Sequence, residues 1–332
     1  MKGLVIPAVK AEVEVQELAT PIPEQNEVLV KLKAASLNRR DYWITQGLYP
    51  KIVTPVVLGS DGAGTIESIG NDNETRWKTS DEVVIYPATN WGVQESAQSD
   101  DFEVLGMPQN GTFAEYVTVA IDQLFPKPTY LSWAETASIP VAGITAYRAA
   151  MVQGKLQSGQ TVLITGIGGG VAVFALQLAL AMKATVYVTS SKESKIEQAK
   201  ALGAKGGYLY TRPEWGKECL KEAGPIDVII DGAGGKGYGD LVSLLKPGGH
   251  LVNYGSTAGK PEKLDLFKIF WRQLHLVGST LGSPADFGNL LKFMTDHQLR
   301  PIVDLIHPLD KGPEAIAAMR DAEQFGKVTL EI

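Results

Sequence analysis

The sequence predicts an α/β protein in which a doubly wound parallel sheet is joined to a β-rich, barrel-like unit. Three observations support this fold class. A β-branched run at 161–165 enters a glycine cluster and continues as an Ala/Leu-rich stretch, the pattern of a strand, a tight turn and a helix N-terminus. Strand and helix patterns then alternate to about residue 281. Before residue 120 or so, short strands are punctuated by glycine and proline.

The first part of the chain has alternating apolar and polar runs, which are typical of half-buried strands. The predicted strands are 3–6, 28–32, 64–70, 81–87 and 111–119. From Ser132 the pattern changes. Ser132 and Glu135 have the spacing of a capping box, and they predict an Ala-rich helix that continues through residues 147–150.

The predicted strands of the parallel sheet are 161–165, 185–189, 208–210, 228–231, 250–254 and 276–279. Helices are predicted from Gly170, over 194–202 and from Tyr238. After them come two helical patterns, 284–297 and 313–323, and a strand at 327–332. That last strand has no partner in the parallel sheet, so we expect it to rejoin the first unit.

Composition excludes several classes of protein. A length of 332 residues suggests two domains. A net charge of −6 argues against a nucleic-acid-binding surface. We see no stretch that would span a membrane and no secretory leader, and therefore expect a cytoplasmic protein. The single cysteine, Cys219, excludes an internal disulfide and a Cys-rich zinc site; its charged surroundings indicate a helix residue rather than a nucleophile.

The glycine cluster does not satisfy the strict G-x-G-x-x-G spacing, because Val171 stands where the third glycine would fall. The spacing that fits is Gly166-x-x-Gly169-x-x-Ala172. A helix N-terminus with small residues lets a pyrophosphate approach unpaired N–H groups. Taken alone, such a cluster could also be only a turn.

The end of the second strand indicates the cofactor. An acidic residue here would bind the ribose hydroxyls of NAD, but this chain has Ser190, Ser191 and Lys192. Hydroxyl and ammonium groups suit a 2′-phosphate, so we favour NADPH over NADH. The alternative is that Lys192 and Lys195 belong to a solvated helix start.

Several segments occur in a specific order and spacing, namely 34–43, 46–50, 55–64, 111–116, 139–147, 278–283 and 325–328. Together they resemble the medium-chain dehydrogenase/reductase superfamily, in its zinc-free, quinone-oxidoreductase-like or zinc-type alcohol dehydrogenase-like branch. The resemblance covers nearly the whole chain. It implies a Rossmann dinucleotide-binding domain at 125–281 and a GroES-like catalytic domain built from 1–124 and 282–332.

The chain differs from the zinc-dependent members of this superfamily at the positions of their zinc ligands. By the resemblance, their ligand positions fall on Asn38, Ser60 and approximately Ser138, none of which is a thiolate or imidazole. The loop at 90–110 has no cysteine, and we expect its acidic residues to be solvated: Glu95, Asp100, Asp101 and Glu103. We therefore expect a metal-free protein.

Without zinc, an alcohol or simple ketone would not be strongly polarised. A quinone or an α,β-unsaturated carbonyl can accept a hydride from NADPH, because the incoming charge moves to a remote oxygen that hydrogen-bond donors can hold. Two alternatives stay open. One is an alcohol dehydrogenase acting on an alcohol/aldehyde pair, and the other is a non-catalytic NADPH-binding protein.

The resemblance places a polar residue at Asn38, facing the nicotinamide, which makes Asn38 the first candidate donor; a turn-forming Asn is the alternative. Tyr42 and Trp43 are candidates for the wall of an aromatic pocket or for core packing. Arg39 and Arg40 either orient the substrate or are solvated. We expect water to supply the proton.

The expected cofactor contacts follow from the strand ends and from the resemblance. At the pyrophosphate we expect Gly169, Gly170, Val171 and Ala172. Around the 2′-phosphate we expect Ser190, Ser191, Lys192 and Tyr210. Elsewhere along the dinucleotide we expect Gly232, Ala233, Gly255, Ser279 and Thr280. Lys327 either closes over the cofactor or is an ordinary surface lysine.

The strand pattern at 274–279 suggests the last strand of an open sheet. An unpaired apolar edge favours pairing with a twofold mate, as in related zinc-free proteins. We expect a homodimer acting on a small electrophilic substrate, without nucleic acid or membrane partners. The alternative is an edge covered by a loop of the same chain.

Overall fold

The structure is a computed structural model that describes residues 1–71 and 75–332. The chain divides into two compact units, one formed by Met1–Ala142 and Ser283–Ile332 and the other by Gly143–Gly282. None of the helices within these described ranges is long and apolar enough to cross a bilayer.

The first part of unit 1 contains mostly short strands. In chain order its elements are β1 (Lys2–Ile6), β2 (Glu14–Glu17), β3 (Glu27–Ser36), α1 (Arg39–Thr45), β4 (Val56–Val57), β5 (Asp61–Ile69), β6 (Glu82–Ile85), β7 (Ala88–Thr89), β8 (Glu103–Val104), β9 (Tyr116–Ala120), β10 (Leu124–Pro126) and α2 (Trp133–Ala137). Next comes α3 (Pro140–Tyr147), which runs across the boundary between the units.

Strands and helices alternate through unit 2. They are β11 (Thr161–Ile164), α4 (Gly170–Ala181), β12 (Thr185–Ser190), α5 (Glu193–Ala201), β13 (Gly206–Leu209), α6 (Trp215–Ala223), β14 (Ile226–Asp231), α7 (Tyr238–Leu244), β15 (Leu245–Asn253), α8 (Leu266–Trp271) and β16 (His275–Gly278). The chain then returns to unit 1 with α9 (Pro284–Asp296), β17 (Val303–Pro308), α10 (Gly312–Ala318) and β18 (Lys327–Glu331).

The sheet of unit 2 has the order β13-β12-β11-β14-β15-β16, and each neighbouring pair is parallel. Strand order reverses between β11 and β14, which is the switch point of a doubly wound fold. The central strands β11 and β14 are buried at all but one position each, as expected for the apolar strands of a parallel sheet. The predicted fold class is confirmed in this unit.

The longest strand of unit 1, β3, organises that unit. It pairs antiparallel with β5, β9 and β18 in a seven-stranded sheet, and β1 forms a second sheet with β2 and β4. The return of the C-terminal strand to the first unit, expected from the sequence, is therefore observed. An apolar cluster that includes Leu4, Leu37, Phe113 and Leu330 fills the space beside these sheets.

The boundary between the units lies later than the expected break after residue 124. Residues 125–142 stay in unit 1 because β10 pairs with β6 and α2 lies against β3 and β5. The second boundary, before Ser283, is one residue after the expected start at 282.

The helix predicted from Ser132 through residue 150 is wrong as a single element. Ser132 does cap α2, and the Ser132/Glu135 box forms, but the helix ends at Ala137. A new helix begins at Pro140, and a π-helical segment, Arg148–Gln153, follows. Proline lacks an N–H and disfavours helical backbone in the residue before it, which explains the break.

Several elements differ from the sequence expectation. The last helix ends at Ala318 instead of 323, and Ala322 has a positive φ of 51°, which a right-handed helix cannot contain. Helices α1 and α8 were not predicted, and helix α6 was expected only as the surroundings of Cys219. The strands that were not predicted are β2, β4, β7, β8, β10 and β17. Cys219 is a buried residue of helix α6, and burial raises the pKa of its thiol to about 11, in line with a helix residue that is not a nucleophile.

Candidate cofactor and catalytic sites

The glycine turn after β11 leads directly into α4. Gly166 and Gly168 have positive φ values of 64° and 114°, and Gly169 is the N-cap of α4 without a side-chain cap. A Cβ on Gly166 would meet nothing within 4 Å. The first N–H groups of α4, from Gly170 and Val171 on, therefore start at an open backbone surface, which suits a pyrophosphate. The side chain of Ala172 is buried behind them.

The end of β12 brings together three of the residues expected at the 2′-phosphate. The Lys192 N–H donates to Ser190 Oγ at 3.2 Å, and the Tyr210 N–H donates to the Ser190 carbonyl at 3.1 Å. Lys192 is the N-cap of α5. Ser191 lies exposed next to them. Tyr210 follows β13 instead of ending it, and its side chain is exposed.

Lys195 lies across the glycine turn, and sequence reasoning did not assign it there. A Cβ on Gly168 would be 2.6 Å from Lys195 Cδ and 2.9 Å from its Nζ. The ammonium therefore stands next to the turn that leads into α4. Lys195 is in the first turn of α5, three residues after Lys192. Residues three apart lie on the same side of a helix, so the spacing of Lys192 and Lys195 could have indicated that Lys195 also faces the cofactor site.

A buried carboxylate ties three strand ends of unit 2 together. Asp231 accepts hydrogen bonds from Thr165 Oγ1 at 2.6 Å, from the Gly234 N–H at 2.8 Å and from Asn253 Nδ2 at 3.2 Å. A weaker bond at 3.3 Å comes from the N–H of Ala233. Sequence reasoning missed this residue, which holds the carboxyl edge of the sheet in one arrangement.

The expected contacts Gly232 and Gly255 have a packing role of their own. A Cβ on Gly232 would lie 2.4 Å from the Tyr254 ring, and one on Gly255 would lie 2.8 Å from the Gly232 carbonyl. At the end of β16, the Ser279 N–H donates to the Asn253 carbonyl at 2.9 Å. Ser279 Oγ is buried and has no hydrogen-bond partner among the described residues, while Thr280 is exposed.

In unit 1, Asn38 stands at the N-terminus of α1. Its backbone N–H donates to Asp41 Oδ2 at 2.7 Å, the return bond of a capping box. The residue is 7% exposed, and its side-chain Nδ2 donates to Asp61 Oδ2 at 2.9 Å. Asn38 is therefore an ordered part of a buried polar cluster as well as a helix cap.

Lys327 belongs to the same cluster, so its interpretation as an ordinary surface lysine is wrong. Its side chain is 3% exposed, and Nζ donates to the Leu37 carbonyl at 2.8 Å, to Asn38 Oδ1 at 2.7 Å and to Asp61 Oδ2 at 3.1 Å. The ammonium is thus held by three acceptors of unit 1, which uses its three donors. The expected closure over the cofactor would require these bonds to break.

Asp61 is fully buried and receives hydrogen bonds on both oxygens. The Val141 N–H donates to Oδ1 at 2.8 Å, while Asn38 and Lys327 donate to Oδ2. Burial raises the pKa of Asp61, and these donors oppose that rise. Since the three hydrogen-bond partners of its side chain are all donors, the ionised carboxylate is the form that satisfies them.

The three positions aligned with zinc ligands do not fit a zinc ion. The amide of Asn38 is bonded to Lys327 and Asp61. Ser60 Oγ is bonded to Arg40 Nη1 and to the Leu105 carbonyl, and Ser138 Oγ donates to the Ala134 carbonyl at 2.8 Å. An amide and two bonded hydroxyls are poor zinc ligands next to an ammonium and a guanidinium.

Elsewhere in the described residues, no group of three or more His, Cys, Asp or Glu side chains could hold a metal. Of the acids in the 90–110 loop, Glu95 accepts a hydrogen bond from Ser283 Oγ.

The remaining candidates lie on α1. Tyr42 and Trp43 are half-buried with ring centroids 5.5 Å apart, and Tyr42 packs against the core of unit 1. Arg39 lies 5.8 Å from the Trp43 ring and donates to the Met319 carbonyl. Arg40 lies 5.0 Å from the ring of Tyr49. Both arginines are held by the protein instead of being simply solvated.

Asp41 is an additional buried acid next to this cluster. Oδ2 caps the backbone of Asn38, but Oδ1 has no hydrogen-bond partner among the described residues. Burial raises the pKa of Asp41 to about 6, and the nearby Arg40 opposes that rise.

Both units are similar to families of known proteins. The family described as "Zinc-binding dehydrogenase" matches residues 170–296, and "Alcohol dehydrogenase GroES-like domain" matches residues 24–129. The zinc-type alcohol dehydrogenase-like protein YogA of Leptosphaeria maculans is 33% identical over 95% of this chain and 93% of its own.

The chain belongs to the medium-chain dehydrogenase/reductase family, in its zinc-type alcohol dehydrogenase-like branch. A crystal structure of an NAD-dependent alcohol dehydrogenase superposes with a TM-score of 0.93 at 33% identity, covering all of both chains. An acryloyl-coenzyme A reductase of Sulfurisphaera tokodaii is 27% identical over the full length of both proteins. The chain is therefore an oxidoreductase with a GroES-like unit and a pyridine nucleotide-binding unit.

Proposed function

We propose that this medium-chain oxidoreductase transfers a hydride from NADPH to a quinone or an α,β-unsaturated carbonyl without a metal ion. The observation that carries the proposal is the cluster at the zinc-ligand positions. Asn38, Ser60 and Ser138 are engaged with protein groups: Lys327 and Asp61 bond to the Asn38 amide, and Arg40 bonds to Ser60. Such a cluster provides hydrogen-bond donors and no Lewis acid.

The chemistry of the acceptor follows from that donor set. Hydride addition at the β-carbon of an enone moves an electron pair to the carbonyl oxygen, and a proton from water then goes to the α-carbon. A quinone takes the hydride and a proton in the same balance and gives a quinol. In both reactions charge develops on an oxygen that an amide N–H can stabilise. Asn38 Nδ2 is our candidate for this donor.

Unit 2 would hold the cofactor, which supplies the hydride when bound. The exposed N-terminus of α4 fits the pyrophosphate. Lys195 next to Gly168, together with Ser190, Lys192 and Tyr210, fits a 2′-phosphate better than two ribose hydroxyls. Gly232, Ala233, Gly255, Ser279 and Thr280 remain proposed contacts at the strand ends.

Two names among the relatives bear on the proposal in opposite directions. The acryloyl-coenzyme A reductase carries the name of an enzyme that reduces a conjugated thioester, which supports enone chemistry. The structure with a TM-score of 0.93 is named an NAD-dependent alcohol dehydrogenase, which supports an alcohol/aldehyde pair and NADH. Alcohol oxidation is therefore the second candidate function.

Steady-state assays distinguish these two functions. Protein purified without added zinc is given NADPH or NADH with a benzoquinone, an enal, a simple ketone or, in the reverse direction, an alcohol. We expect turnover with the quinone or the enal, with NADPH preferred, and no loss of activity after treatment with a chelator. Turnover confined to the alcohol/ketone pair, and abolished by the chelator, would overturn the proposal.

A further inference from the structure

The buried pair Lys327 and Asp61 determines how the Asn38 amide is oriented. An ammonium only donates hydrogen bonds and a carboxylate only accepts them. The Asn38 oxygen must therefore face Lys327 Nζ, at 2.7 Å, and its nitrogen must face Asp61 Oδ2, at 2.9 Å. The reversed amide would place a donor against the ammonium and an acceptor against the carboxylate. Only one rotamer of the amide satisfies both partners.

This arrangement uses one of the two Nδ2 hydrogens and leaves the other without a hydrogen-bond partner among the described residues. It also favours the charge-separated resonance form of the amide, because the cation lies at its oxygen and the anion at its nitrogen. The ammonium at Oδ1 draws electron density toward the oxygen, and this polarisation strengthens the remaining N–H as a donor.

Three elements hold the pair in place. Lys327 begins β18, and its backbone N–H donates to the Ile302 carbonyl at 2.9 Å. Asp61 begins β5, and its carbonyl accepts from Thr112 Oγ1 at 2.7 Å. The Leu37 N–H next to Asn38 donates to the Val328 carbonyl at 2.9 Å. Both charged residues therefore belong to strands whose backbone is fixed by hydrogen bonds to other parts of unit 1.

We propose that Lys327 and Asp61 are positioning residues, which turn the Asn38 amide so that one N–H is presented to the oxygen of the substrate. This inference rests on the proposed function of Asn38 as the donor to that oxygen. It assigns the two buried charges a task in the reaction beyond stabilising the fold.

A double-mutant cycle tests this inference. Lys327→Met and Asn38→Ala are measured singly and together with the best enone or quinone. We expect each single variant to lower kcat by about 100-fold, the lower end of the range for losing an oxyanion donor, with little change in KM. In the Asn38→Ala background, Lys327→Met should have almost no further effect on kcat. Losses that multiply would show that Lys327 acts independently of Asn38 and would overturn the inference.

Lys327→Gln keeps the inference testable if Lys327→Met fails to fold. The glutamine amide can still donate to Asn38 Oδ1 but has no charge, so it should restore part of the kcat lost in Lys327→Met. Where Lys327→Met does not fold, Lys327→Gln takes its place in the cycle with the same two outcomes.

A second readout needs neither cofactor nor substrate. In protein labelled with ¹⁵N at asparagine, Asn38→Ala identifies the Asn38 side-chain signals in a proton–nitrogen correlation spectrum. Lys327→Gln should shift both signals, whereas Lys246→Gln, at a lysine paired with Asp227 in unit 2, should not. Unmoved Asn38 signals in Lys327→Gln would reject the orienting role.

The two proposals can fail separately. Wild-type protein that turns over no quinone or enone would reject the proposed function, while this spectrum would still report on the orientation of the Asn38 amide.

Discussion

At the scale of single residues, Asp41 makes stability depend on pH. Its folded pKa of about 6 lies above the ordinary value of 3.8, so the folded state binds this proton more tightly. That contribution to stability is fully present below about pH 4 and is lost as the pH rises through 6. The shift of about two pH units corresponds to a free energy on the order of 2–3 kcal/mol.

Asp41→Asn should remove this dependence. The asparagine is neutral at all pH values and keeps an oxygen for the Asn38 N–H, so the capping bond remains. We expect the variant to unfold at a higher urea concentration than wild type at pH 7 and to lose that advantage at pH 4. Asp286→Asn, the same change in the capping box of α9, is the control. It should leave the loss of stability near pH 6 in place. An unchanged pH profile in Asp41→Asn would contradict the assignment.

The lysines of α5 allow a second test at the residue scale. Lys195→Ala should weaken NADPH binding by about 1.5–3 kcal/mol, the scale of a hydrogen bond to a charged group, and should leave NADH binding almost unchanged. Lys192→Ala should act in the same direction. Lys200→Ala is the matched control, because Lys200 lies on the same helix and pairs with Glu197 at 2.8 Å. Fluorescence titration with both cofactors measures these effects, and wild type binding NADH as tightly as NADPH would contradict the cofactor assignment.

At the scale of elements, the glycine turn between β11 and α4 is constrained at one position and open at another. Gly168→Ala places a Cβ against Lys195 in a backbone with φ of 114°, so we expect it to lower the free energy of unfolding by at least about 1 kcal/mol. Gly169 has a φ of −73°, which alanine adopts readily, and a Cβ at this position would touch only the Gly166 carbonyl at 4.0 Å. Gly169→Ala should fold normally but weaken NADPH binding, because a Cβ would stand where the pyrophosphate approaches.

Urea unfolding of the two glycine variants without cofactor, followed by NADPH titration, separates strain from contact. Equal stability of Gly168→Ala and wild type would show that the turn tolerates a side chain. Unchanged NADPH affinity in Gly169→Ala would show that the pyrophosphate does not lie at this helix start.

At the scale of the whole molecule, we propose a homodimer formed through the edge of the parallel sheet. β16 is the last strand of that sheet, and the exposed apolar face of α8 precedes it in the chain. That face consists of Leu266, Phe267, Phe270 and Trp271. An unpaired edge next to exposed aromatic rings is a surface that a second copy would cover.

Sedimentation at micromolar concentration should give a dimer mass for wild type. Val277→Lys and Trp271→Lys should shift the mass toward the monomer, because each buries a charge in the contact. Val93→Lys changes an isolated exposed valine of unit 1 and should leave the mass unaltered. A wild-type monomer would reject the dimer, and a dimer that persists in Val277→Lys would reject this edge.

The sequence by itself determined the parts of this protein that are encoded locally. Alternating strand and helix patterns predicted the six strands of the parallel sheet and helices α4, α5 and α7 of unit 2. The Ser132/Glu135 spacing predicted a helix start that the structure has. The glycine cluster predicted the strand, turn and helix around Gly169. These predictions succeed because periodicity, caps and turns depend on neighbouring residues. Where a local signal was misread, as at Pro140, only one helix was affected.

The tertiary structure alone decided which charges meet. Lys327 and Asp61 are 266 positions apart, yet they share a hydrogen bond with each other and both bond to Asn38. Lys195 reaches Gly168 from the following helix. No periodic pattern encodes such contacts, because a charged side chain looks the same in sequence whether it is solvated or buried. Lys327 is buried and paired with Asp61 because β18 pairs with β3. That pairing brings Lys327 next to Asn38 and Asp61 and completes the polar cluster of unit 1.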